Sequence, residues 1–358
     1  MVHVESLQVV HYRGISGLEL PTLAHRANLI TGLNGVGKTA LAEALWLFHG
    51  RYNLPLLWNK HVHRGISVSP SDALPALAPD GETAIELHGV ERRQSASVRI
   101  DLERFTDAHS TGDANGGSRA KAEYQGLPFP VVARLRVSLD GEPVDPDTSH
   151  TFATAPEGAI AYPLVPPPEM RAGGIILTSP NVDDEGLIER YSEIVLEDNK
   201  KSLRSMLRAI RPDVDDLEIL MSDGQSYIWG TTKGGQRRRL QDLGNGMVRL
   251  FRYLTSAFAA RGGILIVDEI ENGFHYSALE KLWRHLKILC DQADVQLFAT
   301  THSRECIHAA VSAFGEQLDN LAVHGLFRRD DSETEPVSAT CFTADTLEGA
   351  LSLDLEMR

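Results

Sequence analysis

An α/β fold with a mixed core sheet is what this sequence predicts, and three observations predict it. A glycine-rich turn ending in Lys38-Thr39 lies between an apolar run and a helical pattern. A second apolar run ends in Asp268-Glu269, and a third in His302-Ser303. From roughly Arg51 to Val165 the helical period gives way to alternation at period two, which adds an antiparallel β-rich part.

The first observation carries the most chemistry. Gly32-Leu33-Asn34-Gly35-Val36-Gly37-Lys38-Thr39 is a complete P-loop pattern. Ala27 to Thr31 before it reads as a short buried strand. Ala40 to His49 after it reads as a helix, with Leu41, Leu45 and Phe48 on one face and Gly50 at its stop. Glycines let backbone N–H groups of Asn34, Gly35, Val36 and Gly37 converge on an anion, and the helix N-terminus adds partial positive charge. Lys38 is expected to neutralise the β- and γ-phosphates of ATP, and the Thr39 hydroxyl to take one position on Mg²⁺. The competing reading is a glycine-rich βα turn with no ligand; the agreement of all fixed positions and both flanks argues against it.

Composition sets the outer limits. The chain has 358 residues, 42% hydrophobic and 23% charged, ordinary for a globular protein able to bury a large core. No apolar run approaches the roughly 20 residues of a membrane span, and the start does not read as a signal peptide. Cys290, Cys306 and Cys341 show no paired or metal-ligand spacing, so they read as reduced thiols of a cytoplasmic protein. A formal net charge of −14 argues against a broad nucleic-acid surface, although it leaves room for a local basic groove and DNA contact. Two basic clusters, Arg237-Arg238-Arg239 and Lys200-Lys201 with Arg204, Arg208 and Arg211, read first as solvated surface.

Along the chain, His3 to Leu20 reads as a hairpin, and residues 1–50 as a hairpin and P-loop lobe. Residues 51–180 read as a β-rich subdomain. Its strands are 84–88, 96–100 and 131–137, with a mobile surface loop at 106–126 and a proline-rich break at 163–168. Helical patterning over 181–239 predicts a helical lid: Leu187, Ile188, Tyr191, Ile194 and Val195 line one face, and Leu203, Met206, Leu207 and Ile210 another, stopped by Pro212. From 240 to the end, helix and strand patterns alternate again, closing with a strand pair (321–327, 338–342) and a last helix to Arg358. The whole is expected to form a single head.

Three further motifs complete the expected site. Gly263 to Val267 is a continuous apolar strand, and Asp268-Glu269 at its end matches a Walker B pattern. Asp268 is expected to hold Mg²⁺ and Glu269 to act as general base on water. His302 ends a neighbouring strand 34 residues after Asp268, where a histidine can sense a γ-phosphate. Gly244-Asn245-Gly246 opens a helix 22 residues before Asp268, a second anion site that two chains arranged head-to-tail could share; a helix start with no ligand is the alternative.

The order P-loop, glycine turn, Asp-Glu strand, strand-end histidine resembles ABC-type ATPase heads, in the branch containing the SMC, RecF and OLD (overcoming-lysogenisation-defect) families. Asp268-Glu269-Ile270-Glu271-Asn272-Gly273-Phe274-His275 is most similar to the OLD-like ATPases, as are Leu240 to Gly246 and Tyr12-Arg13-Gly14-Ile15. The resemblance implies an ABC-type head using ATP and Mg²⁺, with Arg13 approaching the nucleotide; read without the family, Arg13 is a surface turn residue. It also implies homodimers or higher oligomers through ATP-bound heads, Gly244, Asn245 and Gly246 serving as a signature in trans. The signature serine is missing, and Asp242 places an extra carboxylate just before the turn. The glutamine that links the Mg²⁺ site to the lid is sought at Thr178-Ser179-Pro180-Asn181.

OLD proteins usually continue into a TOPRIM nuclease. The two Asp-x-Asp triplets, Asp145-Pro146-Asp147 and Asp213-Val214-Asp215, both lie upstream of the Asp268-Glu269 strand, so a freestanding ATPase is expected. The resemblance implies an ATPase regulating a separately encoded nuclease or toxin in anti-phage defence. A RecF-like DNA repair factor and a slow-turnover nucleotide-gated scaffold are the alternatives.

Overall fold

A computed structural model describes residues 4–50, 84–104, 131–143, 150–154, 160–161, 175–178, 186–222, 224–329 and 335–352. The expected loop at 106–126 and the break at 163–168 lie outside these residues, as do Ser179, Pro180 and Asn181.

Two sheets enclose one helix. The first is antiparallel, in the order β2-β1-β4-β5-β6-β8-β9 with β7 on the side of β6. Its strands are β1 (Val4–Tyr12), β2 (Ile15–Leu20), β4 (Ala84–Glu91), β5 (Gln94–Arg104), β6 (Val131–Leu139), β7 (Glu142–Pro143), β8 (His150–Thr154) and β9 (Ile160–Ala161). The second has the order β10-β14-β15-β3-β16-β17. Its strands are β3 (Ala27–Gly32), β10 (Ile175–Thr178), β14 (Ile264–Val267), β15 (Gln296–Thr300), β16 (Leu321–Arg328) and β17 (Val337–Phe342). All pairs in it are parallel except β16 with β17. The lobes drawn from sequence interleave in space. The hairpin β1–β2 joins the sheet of the β-rich segment, and β10 pairs with β14 across the lobe boundaries.

Alternation assigns the two cores. Ile264, Ile266, Ile30 and Phe298 face the antiparallel sheet; Leu265, Val267, Leu29 and Leu297 face the helices of the opposite layer. A strand covered on both faces must be apolar at every position, which is why these segments read as unbroken runs.

Helix α1 (Lys38–Gly50) fills the space between the sheets. One apolar face was expected for it, yet every residue from Ala40 to His49 is buried. Ala40, Ala42 and Ala44 let the second side approach closely. Glu43 is accommodated because Tyr12 and Arg13 meet its carboxylate at 3.2 and 2.8 Å. His49 is accommodated by Glu91 on β4, at 2.5 Å. Each of the fully buried Leu41, Leu45 and Phe48 contributes about 2 kcal/mol of transfer free energy. At the opposite end of the sheets, the buried Gln296 amide exchanges hydrogen bonds with Val4 N (2.8 Å) and O (2.9 Å), fastening β1 to β15.

The segment 181–239 departs from a purely helical lid. Helices α2 (Leu187–Leu196) and α3 (Lys200–Ile210) form as expected, although Val195 is exposed. They are followed by a three-stranded antiparallel sheet of β11 (Val214–Ser222), β12 (Gln225–Thr232) and β13 (Arg237–Arg239). The C-terminal layer holds α4 (Asn245–Ala259), α5 (Tyr276–Ala293) and α6 (Arg304–Phe314). The last helix, α7, runs over Ala344–Ser352; residues 353–358 lie outside those described.

Candidate nucleotide site

The site forms where β3, β14 and β15, parallel neighbours, all end. Ligands gather at the carboxyl ends of such strands because the following loops and helix N-termini converge there. At the end of β3, Gly32 has φ +146°, and a Cβ there would stand 2.5 Å from Leu326 O. No side chain fits between the P-loop and β16, so the turn requires glycine at this position. Leu33, Asn34 and Gly35 form the exposed rim, Val36 is buried, and Gly37 lies beside Ile15 of the β1–β2 hairpin.

Lys38 folds back over this loop, its Nζ donating to Gly32 O (2.7 Å) and Leu33 O (2.9 Å). Burial lowers its pKa, while Asp268, Glu271 and Glu269 pull it back up. That balance records three carboxylates grouped around one ammonium. The Thr39 hydroxyl reaches both Asp268 carboxylate oxygens, at 3.2 and 3.1 Å. An alcohol and a carboxylate brought this close are hard oxygen donors suited to Mg²⁺, which commonly takes its other ligands from phosphate and water. Among the described residues no group of three or more His, Cys, Asp or Glu is placed to hold a metal ion.

Glu269 follows with φ +52°, a conformation uncommon for a residue bearing a Cβ. Thr300 at the end of β15 holds this bend in place. Its hydroxyl donates to Asp268 Oδ1 (2.6 Å) and accepts from Glu269 N (2.8 Å). Asn272 Nδ2 donates to Glu269 Oε2. His302 stands on the other side of the Asp268–Gly273 turn, half exposed, with its backbone N and its Nδ1 on Glu271 Oε1 at 3.0 and 3.2 Å. Ser303 next to it caps α6 by accepting from Cys306 N (3.1 Å).

The structure thus brings Lys38, Thr39, Asp268, Glu269 and His302 into one connected group. Arg13 is turned to Glu43 on α1, so any contact with a nucleotide would have to replace that ion pair. The glycine turn packs elsewhere: a Cβ on Gly246 would lie 2.7 Å from Gly273 O, so the start of α4 rests on the loop after Asp268-Glu269. Gly244 and Asn245 are exposed there, as is Asp242.

Three members of the group carried no assigned role in the sequence reading: Thr300, Glu271 and Asn272. Thr300 is a hydroxyl residue ending an apolar strand beside β14, a signal that spacing to the other motifs does not single out. Glu271 and Asn272 sit within the Asp268–His275 run, but their partners lie across a turn that spacing alone does not describe.

Five of the eight cations in the two basic clusters stand beside acids. Lys200 and Arg204 face Asp216 at 3.1 and 4.0 Å, Arg208 pairs with Asp215, and Arg211 with Asp213 at 2.9 Å. Arg237 meets Glu218 at 3.3 Å, and Arg239 stacks 4.1 Å from the Tyr227 ring centroid.

Residues 146–306 match a family model described as "AAA domain, putative AbiEii toxin, Type IV TA system". That span includes the glycine turn, Asp268, Glu269 and His302 but not the P-loop. The DNA replication and repair protein RecF of Saccharophagus degradans is 27% identical over 144 residues, 35% of this chain and 37% of that protein. The match therefore spans little more than a third of that relative's length. An SMC head bound to the C-terminal winged-helix domain of ScpA superposes with a TM-score of 0.50 at 14% identity, covering 98% of this chain and 99% of that one. An SMC head with an extended coiled coil, bound to the C-terminal domain of ScpA from Pyrococcus furiosus, gives 0.50 at 13% identity, covering both chains completely. The chain has the α/β fold of the SMC head P-loop ATPase domain. Its sequence is similar to an AAA domain over residues 146–306 and to a RecF protein over 144 residues.

Proposed function

We propose that this chain binds Mg·ATP and hydrolyses it, and that the cycle switches a separately encoded effector. The observation that carries the reading is the convergence of Lys38, Thr39 and Asp268 with Glu269 and His302 at the ends of three adjacent parallel strands. In this reading the P-loop amides and Lys38 hold the triphosphate, and Thr39 and Asp268 hold Mg²⁺, which supplies charge neutralisation. Glu269 takes the proton of the attacking water, and His302 meets the γ-phosphate. The Gly244-Asn245-Gly246 turn, exposed at Gly244 and Asn245, caps the nucleotide of a second copy, so ATP drives pairing and hydrolysis releases it.

The finer part is an effector, nuclease or toxin, in a bacterial anti-phage system. Its support is the resemblance of Asp268–His275 to OLD-like ATPases and the toxin–antitoxin wording of the matched family. A DNA repair role is the second reading, favoured by the RecF similarity. The net charge of −14 and the paired cations of α3 weigh against it.

Steady-state phosphate release by purified protein tests the hydrolytic core, with Glu269→Gln as the comparison. Turnover that vanishes in the variant, together with an ATP-dependent rise in oligomer mass, supports the reading. A Glu269→Gln protein as fast as the parent overturns it. Salt-sensitive, ATP-dependent retention of duplex DNA would move the assignment to repair.

A further inference from the structure

Glu271 carries an arrangement that packing alone does not call for. Its side chain is about nine-tenths buried, two residues after Glu269 in the chain. A single oxygen, Oε1, accepts from the backbone N of His302 at 3.0 Å and lies 3.2 Å from its Nδ1. The other oxygen, Oε2, is buried and has no hydrogen-bond partner among the described residues. A buried carboxylate with one unsatisfied oxygen is costly, and such groups concentrate where geometry serves function.

The two contacts restrain different freedoms. The backbone contact sets where the strand-end chain turns toward α6. The ring contact restrains the imidazole's rotation: an acceptor oxygen beside Nδ1 favours the tautomer with the proton on that nitrogen and leaves Nε2 to meet a ligand. Exposed on its open side, His302 would otherwise sample several rotamers.

We propose that Glu271 is the positioning residue of His302, holding the imidazole ready for the γ-phosphate. This rests on the hydrolytic reading of the site. Glu271 itself touches neither nucleotide nor water in this account; it acts through the histidine.

The test joins kinetics with ¹⁵N-histidine NMR. Glu271→Ala should lower kcat about 10- to 100-fold while leaving the KM for ATP within about threefold, as expected when a catalytic group is loosened but not removed. Glu271→Gln keeps an acceptor oxygen and should restore most of that loss. Combined with His302→Ala, the Glu271→Ala change should add no further loss, because both act through one side chain. In the NMR experiment, the resonance that disappears in His302→Gln identifies the ring. It should report a protonated Nδ1 in the parent and tautomer averaging in Glu271→Ala. An unchanged Nδ1 signal, or an undiminished kcat in a folded Glu271→Ala protein, overturns the proposal. A parent protein with no turnover would strike the hydrolytic reading instead, and the NMR result would still decide the role of Glu271.

Discussion

The two sheets that enclose α1 differ in where their polar groups lie. In β3, β14 and β15 of the parallel sheet every residue is buried, and the chemistry collects at one end, on Asp268, Glu269, Thr300 and His302. In the antiparallel sheet, polar residues are spread along strands of alternating pattern. Glu86, for instance, pairs with His88 at 2.7 Å and Arg99 at 3.0 Å on a wet face. A sheet covered on both sides can present polar side chains only where its strands stop. A sheet wet on one side can present them anywhere, so its charges carry little information about a site.

The contrast can be broken in order of effect. Glu269→Gln should reduce turnover about 10²- to 10⁴-fold with melting temperature unchanged, since the side chain is half exposed. Phosphate release and thermal unfolding on the same sample check both halves. His49→Ala strikes the other sheet. It leaves Glu91 buried without its imidazole partner and should cost about 3 kcal/mol of stability while ATP affinity holds once the protein is folded. Urea unfolding measures the first, calorimetry the second. Lys38→Ala should weaken Mg·ATP binding about 100-fold without unfolding the chain, because among the described residues its hydrogen bonds go to two loop carbonyls.

A pH experiment sharpens the comparison within the parallel sheet. His324 on β16 is fully buried beside Asn28, and burial pushes its pKa from 6.5 down to about 4. Between those values the unfolded chain binds the extra proton. The corresponding stability is present above pH 6.5 and is lost as pH falls toward 4, on the order of 3 kcal/mol in all. His324→Gln should flatten the fall in melting temperature between pH 7 and pH 4.5. A variant with the parent's slope would remove His324 from that account. The smallest effect is expected at Ser303→Ala, about 1 kcal/mol from loss of the α6 cap, read as a shift in the urea midpoint.

What was legible in the sequence follows the same division. The strands β3, β14 and β15 and their terminal motifs were readable because a doubly covered strand leaves an unbroken apolar run and its polar end stands out. The sheet β11–β13 was not. Asp216 and Glu218 interrupt β11, and β12 carries Gly230, whose space is taken by Leu243. The burial of Glu43 and His49 was not legible either, because the partners that accommodate them lie 31 and 42 residues away. Within the site, motif positions were recoverable residue by residue. The hydrogen bonds by which Thr300 and Glu271 align them depend on neighbouring strands and turns, which no local pattern encodes.

Helix α1 has no dry-to-wet boundary along which a substitution could escape. Ala42 and Ala44 are wholly enclosed, so a bulkier residue at either must wedge one sheet from the other. The helix that begins at Lys38 is therefore closed to gradual enlargement. Variation there is confined to residues of nearly equal volume, or to paired exchanges in which an opposing strand gives up what the helix takes.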